Sequence, residues 1–460
     1  MTDMQNLLEA RVTVVGLGIE GIDLVRFLTA EGAHVTVSDA RPPDQLVDQL
    51  AAIEDCDARL SLGANRVEDC AGADAVFVSQ GVPADLPALT AAEAKGVPVS
   101  SMLELFLDRC PAPVAGITGS AGKTTTTALV GAMLDASGDP HAVGGNIGIG
   151  LLSLLPEITA ETKVVVEMSH TQLARVARSP EVACVTNVTP NHLDRFSWED
   201  YVDLKRRIFR FQRAEDRAVF NYDDEVARAF MAEAPGHVLS TSRRQRIPGE
   251  GAMIEGDRIV RVTAGAAVPV MRRDEIMLRG EHNVENVLSA VAVAGLLGVS
   301  EEAAARAVRA FTGVAHRLEP VATIDGVQYI NDSIATAPER TLAGMRAFTE
   351  PLVLLLGGRD KNLPTRALGE EAVRRCRAVI TFGEASDLYA SAIRAAEGGD
   401  RITLRQVADV PAAVLEAARL ARTGDVVLFS PAGTSFDAYR NFEARGRAFR
   451  EAVRDLEASR

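Results

Sequence analysis

The chain has 460 residues, of which 47% are hydrophobic and 24% charged, with a net charge of -14. One core does not grow to that size, so about three domains of ~150 residues each are expected. The acidic balance excludes nucleic acid as a partner, because phosphate backbones are held by clustered Lys and Arg. No apolar run approaches the ~18 residues of a membrane span, which excludes the membrane as well.

Five cysteines, at 56, 70, 110, 184 and 376, form no C-x-x-C pair and are odd in number, as expected for reduced, mostly buried thiols. The start, Met1-Thr2-Asp3-Met4, carries no export signal. A soluble, cytoplasmic monomer acting on small molecules is expected.

In chain order, residues 11–15 read as a strand, followed by Gly16-x-Gly18-x-x-Gly21 and a helix through Leu28. A second strand over 34–38 ends in Asp39, about 20 residues beyond the glycines, the spacing at which an acid meets a ribose hydroxyl. Alone, this pattern fits a nicotinamide-dependent oxidoreductase, and a glycine turn made for packing fits equally. Ala75-Val76-Phe77-Val78 is a further strand, running into Ser79-Gln80-Gly81-Val82-Pro83.

Pro111 and Pro113 punctuate a boundary. Beyond them an apolar run from Val114 meets Gly116, Thr118, Gly119, Ser120, Ala121, Gly122, Lys123, Thr124 and Thr125 before a helix continues through Val130. Glycines at 119 and 122 allow positive φ and close backbone approach to a polyphosphate, with helix N-terminal amides aimed at the anion. Lys123 supplies a point charge to the β/γ-phosphates, and the Thr124 hydroxyl is a hard oxygen ligand suited to Mg²⁺. The bland alternative is a structural glycine turn.

Gly144-Gly145-Asn146-Ile147-Gly148 is a polar turn, and the strand over 163–166 delivers Glu167 at its C-terminal end, where α/β sheets place ligands. Glu167 is therefore a magnesium candidate. Another strand feeds Asn187-Val188-Thr189-Pro190-Asn191-His192-Leu193-Asp194-Arg195; a lone histidine such as His192 is more often a structural hydrogen-bonder than a ligand. In the basic run Lys205, Arg206, Arg207, Arg210 and Arg213, the general reading is a solvated helix face.

Asn221-Tyr222-Asp223-Asp224 fits either a place near an adenosine or an exposed turn. Asn283 and Asn286 share a helical face at i, i+3 and offer donor and acceptor to an adenine edge, although Asn283 also fits a helix cap. Past Arg317, three strands end in polar turns: Asn331-Asp332-Ser333-Ile334-Ala335-Thr336, Gly357-Gly358-Arg359-Asp360-Lys361, and Ser430 to Asp437 before Asn441-Phe442. Converging strand ends predict a binding crevice.

These motifs, in this order over essentially the whole chain, resemble the Mur ligases and their folylpolyglutamate synthetase relatives. The late motifs are most similar to the glutamate-adding branch. The resemblance implies an α/β protein of three domains: a Rossmann-like N-terminal domain over 1–110, a central P-loop ATPase-like domain over 111–314 and a Rossmann-like C-terminal domain over 315–460. It implies ATP and two Mg²⁺ ions as cofactors, with UDP-N-acetylmuramoyl-L-alanine and glutamate, D-glutamate in first place, as substrates joined through an acyl phosphate.

By the same resemblance, Lys123, Glu167, His192 and Lys205 are catalytic, and Thr124, Glu167, His192 and Lys205 as a carbamate hold magnesium. A carbamate requires a neutral amine, which desolvation favours. Asn283, Asn286, Arg317 and Asp332 join the loop residues in binding nucleotide. Gly18, Ile19, Asp39, Arg41, Gly81, Asn146, Ser169, Thr336, Lys361, Ser435, Phe436 and Phe442 contact the other substrates. Two departures stand out. Gln80 replaces the family's turn proline, and Ile334 stands where a lysine is usual, with Arg359 as the substitute cation and an L-glutamate-adding variant as the alternative it leaves open.

Overall fold

The computed structural model describes residues 7–146, 150–191, 196–278, 280–361 and 363–460. They divide into two compact units between Phe311 and Thr312. His192, Leu193, Asp194, Arg195 and the Ile147–Ile149 stretch lie outside the described residues.

The first unit holds two sheets. In one, β1 (Arg11–Val15), β2 (His34–Asp39), β3 (Ala58–Leu62), β4 (Ala75–Val78) and β5 (Val99–Ser101) are all parallel in the order β3-β2-β1-β4-β5. Strand order reverses beside β1, so the glycine turn at its C-terminal end opens onto the crevice of a doubly wound sheet. The interior residues of β1 and all of β4 are apolar or buried, as a parallel sheet covered on both faces requires.

The other sheet comprises β6 (Val114–Thr118), β7 (His141–Gly145), β8 (Lys163–Glu167), β9 (Val182–Val185), β10 (Arg217–Asn221), β11 (His237–Ser242), β12 (Gly251–Glu255), β13 (Arg258–Thr263) and β14 (Ala266–Arg272). Its order is β14-β13-β12-β11-β10-β9-β6-β8-β7, parallel from β7 through β12 and antiparallel at β13 and β14. β6 therefore lies between β8 and β9, and the polar ends of all three meet. One hydrophobic cluster runs continuously from the first sheet into this one, through Leu105, Phe106, Leu152 and Tyr201.

The second unit is a six-stranded sheet of β15 (Glu319–Ile324), β16 (Val327–Asn331), β17 (Leu352–Gly357), β18 (Cys376–Phe382), β19 (Thr403–Gln406) and β20 (Val426–Ala432), ordered β15-β16-β20-β17-β18-β19. Only β15 is antiparallel to its neighbour. The three polar turns singled out in sequence follow β16, β20 and β17, which are adjacent.

Some local expectations change. Cys70 and Cys184 are buried, but Cys56, Cys110 and Cys376 are only half-buried, so the thiols are less sequestered than composition suggests. The apolar helix spans Glu281–Leu296 with Gly280 as its N-cap, so Asn283 lies inside the helix and is not the cap. Asn221 is buried at the end of β10, and Asp224 caps helix Glu225–Phe230 by accepting from the Ala227 amide at 2.8 Å. That segment is structural, not an exposed turn. Arg206 and Arg210 pair with Asp203 on their own helix, Trp198–Arg210, as a solvated face should. Among the described residues no helix is long and apolar enough to cross a membrane.

Candidate functional site

The central site grows from β6. Its five residues are buried, and the chain can leave the sheet sharply only because glycines follow. Gly122 sits at φ +84°, where an added Cβ would lie 2.1 Å from the Asn286 Oδ1; at Gly119 it would lie 2.0 Å from the Thr186 Oγ1. Both positions combine left-handed backbone with no room for a side chain. Gly116, by contrast, lies inside β6 against Met168 and Pro180, so it serves strand packing and does not line the loop.

Asn187, at the end of β9, fixes the loop. Its Oδ1 accepts from the Ala121 amide at 2.9 Å, its backbone carbonyl accepts from the Ser120 amide at 2.9 Å, and its Nδ2 donates to the Ala121 carbonyl at 3.0 Å. The Ser120 and Ala121 amides thus hold loop shape. The first turn of helix Lys123–Ser137, including Thr124 and Thr125, carries the amides that lack partners within the helix. Lys123 folds back, donating to the Gly119 and Ser120 carbonyls at 2.8 and 3.2 Å. The Ser120 hydroxyl lies 3.0 Å from the Tyr201 hydroxyl, which ties the loop to the helix carrying Lys205.

Lys205 is fully buried, contrary to the usual fate of a helix lysine. Its Nζ donates to the Thr118 Oγ1 at 3.1 Å, while that hydroxyl donates to the Met168 carbonyl at 2.7 Å. Burial pushes the amine well below the ordinary lysine range, the nearby Lys123 charge pushes the same way and Glu167 opposes. Glu167, 1% exposed at the end of β8, accepts from the Asn146 Nδ2 at 2.9 Å through Oε1. Its Oε2 is buried with no hydrogen-bond partner. A buried carboxylate oxygen left unsatisfied is costly, so its retention fits a site that takes a cation. Among the described residues no three His, Cys, Asp or Glu side chains are grouped so that they could hold a metal ion.

Asn286 stands over Gly122 and donates to the Asn283 Oδ1 at 2.9 Å, bringing that amide pair to the loop. A cavity of about 270 Å³ opens between the two sheets of this unit, lined by Gly18, exposed Ile19, Gln80, Asn146 and Gly150 among others. Gly81 follows Gln80 at φ +88°. Gln80 has a role its sequence position did not show. Its amide and Nε2 donate to Glu20 at 2.9 and 2.8 Å, and its Oε1 accepts from Ser169 and Thr171 at 3.2 and 3.0 Å. Gln172 donates to the same Glu20 carboxylate at 2.8 Å. Glu20 and Gln172 carried no motif signal, because only folding brings residues about 150 positions apart together.

Asp39, on which a dinucleotide reading depends, is buried and already engaged. It accepts from the Leu17 amide at 2.7 Å and from the Arg41 amide and guanidinium at 2.7 to 3.0 Å. Burial alone would raise its carboxyl, but these bonds hold it below the usual range.

In the second unit, Lys361 donates to the Thr336 Oγ1 at 3.3 Å, joining the turns after β17 and β16. Ser435 is buried, Phe436 is exposed, and the Phe442 ring meets His316 edge-on at 6.0 Å. Arg445 is wholly buried and donates to the Ser333, Gly433 and Thr434 carbonyls at 2.9 to 3.1 Å, clamping two of the turns. Arg317 is exposed, whereas Asp332 is buried: its carboxylate accepts from the Leu318 amide at 3.2 Å and the Ser430 hydroxyl at 2.8 Å. Asp332 is thus a strut of the turn, not an outward-facing group. Arg359 is held by Glu384 through two bonds of 2.8 and 2.9 Å, which removes it as the substitute cation.

Three family models match the chain: Mur ligase MurD-like, N-terminal domain, over residues 10–101; Mur ligase middle domain, over 117–294; and Mur ligase, glutamate ligase domain, over 316–433. Similar proteins include a UDP-N-acetylmuramoylalanine--D-glutamate ligase of Symbiobacterium thermophilum, 43% identical over 98% of this chain and 99% of that one. Another of the same name, from Acetivibrio thermocellus, is 39% identical over 97% of each. In fold, the chain is similar to a UDP-N-acetylmuramate-alanine ligase of Thermotoga maritima, with a TM-score of 0.56 at 18% identity, covering 98% of this chain and 100% of that one.

Proposed function

The chain belongs to the Mur ligase family, and from that premise we propose that it uses ATP to join D-glutamate to UDP-N-acetylmuramoyl-L-alanine, building a peptidoglycan precursor. The observation that carries the chemistry is the meeting of Lys123, Glu167 and buried Lys205 around the glycine loop after β6. Relatives at 43% and 39% identity over nearly the full length carry D-glutamate in their names, which supports that amino acid over its enantiomer.

A carboxylate is a poor electrophile, and phosphoryl transfer from ATP makes it an acyl phosphate with a good leaving group. The glutamate amine then attacks and phosphate departs. Charge is the obstacle, since anions must approach one another. The first-turn amides and Lys123 bind the phosphates, with the ammonium leaving its loop carbonyls to do so. The Asn283 and Asn286 pair presents amides to the adenine, and the cavity lined by Gly18, Ile19 and Asn146 receives the uridine-linked substrate. Magnesium, when bound, neutralises phosphate charge. Thr124, Glu167, His192 and Lys205 as its carbamate would hold two ions, and the unsatisfied Glu167 oxygen fits that use.

The test is ADP release with UDP-N-acetylmuramoyl-L-alanine plus each of D-glutamate, L-glutamate and diaminopimelate. Turnover with D-glutamate alone is expected; turnover with L-glutamate alone would select the other enantiomer, and none with any would defeat the reading. The proposal includes work in the cytoplasm as a monomer, which light scattering checks for the oligomeric state.

A further inference from the structure

A dicarboxylate amino acid needs more than one cation to hold it. At the converging ends of β16 and β17, Lys361 with Thr336 supplies one. The neighbouring candidates are excluded by what they already do. Ile334 is apolar, Arg359 is engaged by Glu384, and Arg445 is buried against three backbone carbonyls. Arg340 remains.

Arg340 is the third residue of helix Pro338–Arg346, which starts directly after the Asn331–Thr336 turn. It is exposed, and among the described residues its guanidinium makes no ion pair or hydrogen bond. The helix face that carries it points at the strand ends. Gly344, one turn further along the same face, lies so close to Asp332 that an added Cβ would sit 2.8 Å from its Oδ2. Thr341, next to Arg340, donates to the Ser430 carbonyl at 3.0 Å. Burial lowers the Lys361 pKa, and Arg340 and then Arg445 lower it further. Two cations thus face a shared space in which the acid acting on Arg340 is Asp332, buried and already bound by Ser430 and Leu318, an arrangement relieved by an incoming anion.

We propose that Arg340 is a substrate-specificity residue that binds one carboxylate of the incoming glutamate while Lys361 and Thr336 hold the other. The proposal rests on the ligase reading above. A planar guanidinium matches a carboxylate bidentately, which suits it to reject amino acids lacking the second acid.

Wild-type ADP release with D-glutamate is measured first; its absence would defeat the ligase reading and this proposal together. With turnover present, Arg340→Ala should raise KM for glutamate about tenfold to a hundredfold while KM for ATP and the UDP-linked substrate stay within about twofold. The melting temperature should move little, because the guanidinium makes no hydrogen bond or ion pair among the described residues. Adding Ile334→Lys to the Arg340→Ala protein should restore much of the lost affinity by returning a cation to the same turn. An unchanged glutamate KM in Arg340→Ala would overturn the proposal alone, as would an increase confined to the KM for ATP, which would place the guanidinium on nucleotide phosphates.

Discussion

The Lys205 amine lies 3.1 Å from the Thr118 hydroxyl, at the end of the strand that feeds the glycine loop. That hydroxyl spends its proton on the Met168 carbonyl and so accepts from Lys205, an arrangement that leaves the amine deep in the protein with a partly occupied hydrogen-bond shell. Desolvation favours the neutral amine, the form that captures carbon dioxide. Enzyme equilibrated with ¹³C-bicarbonate should therefore show a protein carbamate resonance that disappears in Lys205→Arg, with ADP release falling at least about a hundredfold. Retention of normal turnover without label would refute this.

Gly122 against Asn286 is one of two tight steric constraints of the loop, the other being Gly119 against Thr186. Gly122→Ala adds a left-handed alanine, costing about 1 kcal/mol, and a contact 2.1 Å from the Asn286 Oδ1 that costs about 1–3 kcal/mol more. Urea unfolding should register the sum, and calorimetry should find ATP binding weakened. The double variant Gly122→Ala/Asn286→Ala should recover the steric part only. Full stability in the single variant would mean the loop is looser than this geometry requires.

Gln80 holds Glu20 through its amide and Nε2 and accepts from Ser169 and Thr171 through its own Oε1, stitching the first sheet to the second. Proline at this position loses both the amide donor at 2.9 Å and the side-chain bonds, leaving the buried Glu20 carboxylate with only Gln172. Gln80→Pro should raise KM for the UDP-linked substrate about tenfold, at the cost of two charge-assisted bonds, without a matching change for ATP. Equal changes for both substrates would indicate general loosening of the unit.

Asp332 gives a pH dependence. Burial pushes its carboxyl up to about 7, although the Ser430 hydroxyl and Leu318 amide oppose. Because the folded pKa lies above the unfolded one, the native state holds the extra proton between about pH 4 and 7, and stability is lost as pH rises through that window. The wild-type protein should lose roughly 2–4 kcal/mol between pH 4 and 8 through this group, and Asp332→Asn should flatten that slope. Parallel pH profiles for the two proteins would show that Asp332 does not titrate there.

Much of the fold was legible because its signals are local. Apolar runs ending in glycines, an acid at a strand end and three polar turns each follow from neighbouring residues, and the strands over 114–118, 163–167 and 327–331 form where those signals put them. Gly116 reads in sequence as part of the loop but packs inside β6, since periodicity does not say which glycine lies beyond the sheet. Arg359 reads as an available cation, yet Glu384, on another strand-end turn, takes it up.

The sequence by itself determined the family, the glycine loop and the order of the binding turns, since each depends on residue types at short spacing. Tertiary structure decided which polar groups are already satisfied. Asn187 takes the Ser120 and Ala121 amides, Gln80 joins segments nearly a hundred residues apart, and Lys205 loses its water. Hydrogen bonding and desolvation act through space between distant residues, so no spacing along the chain encodes them.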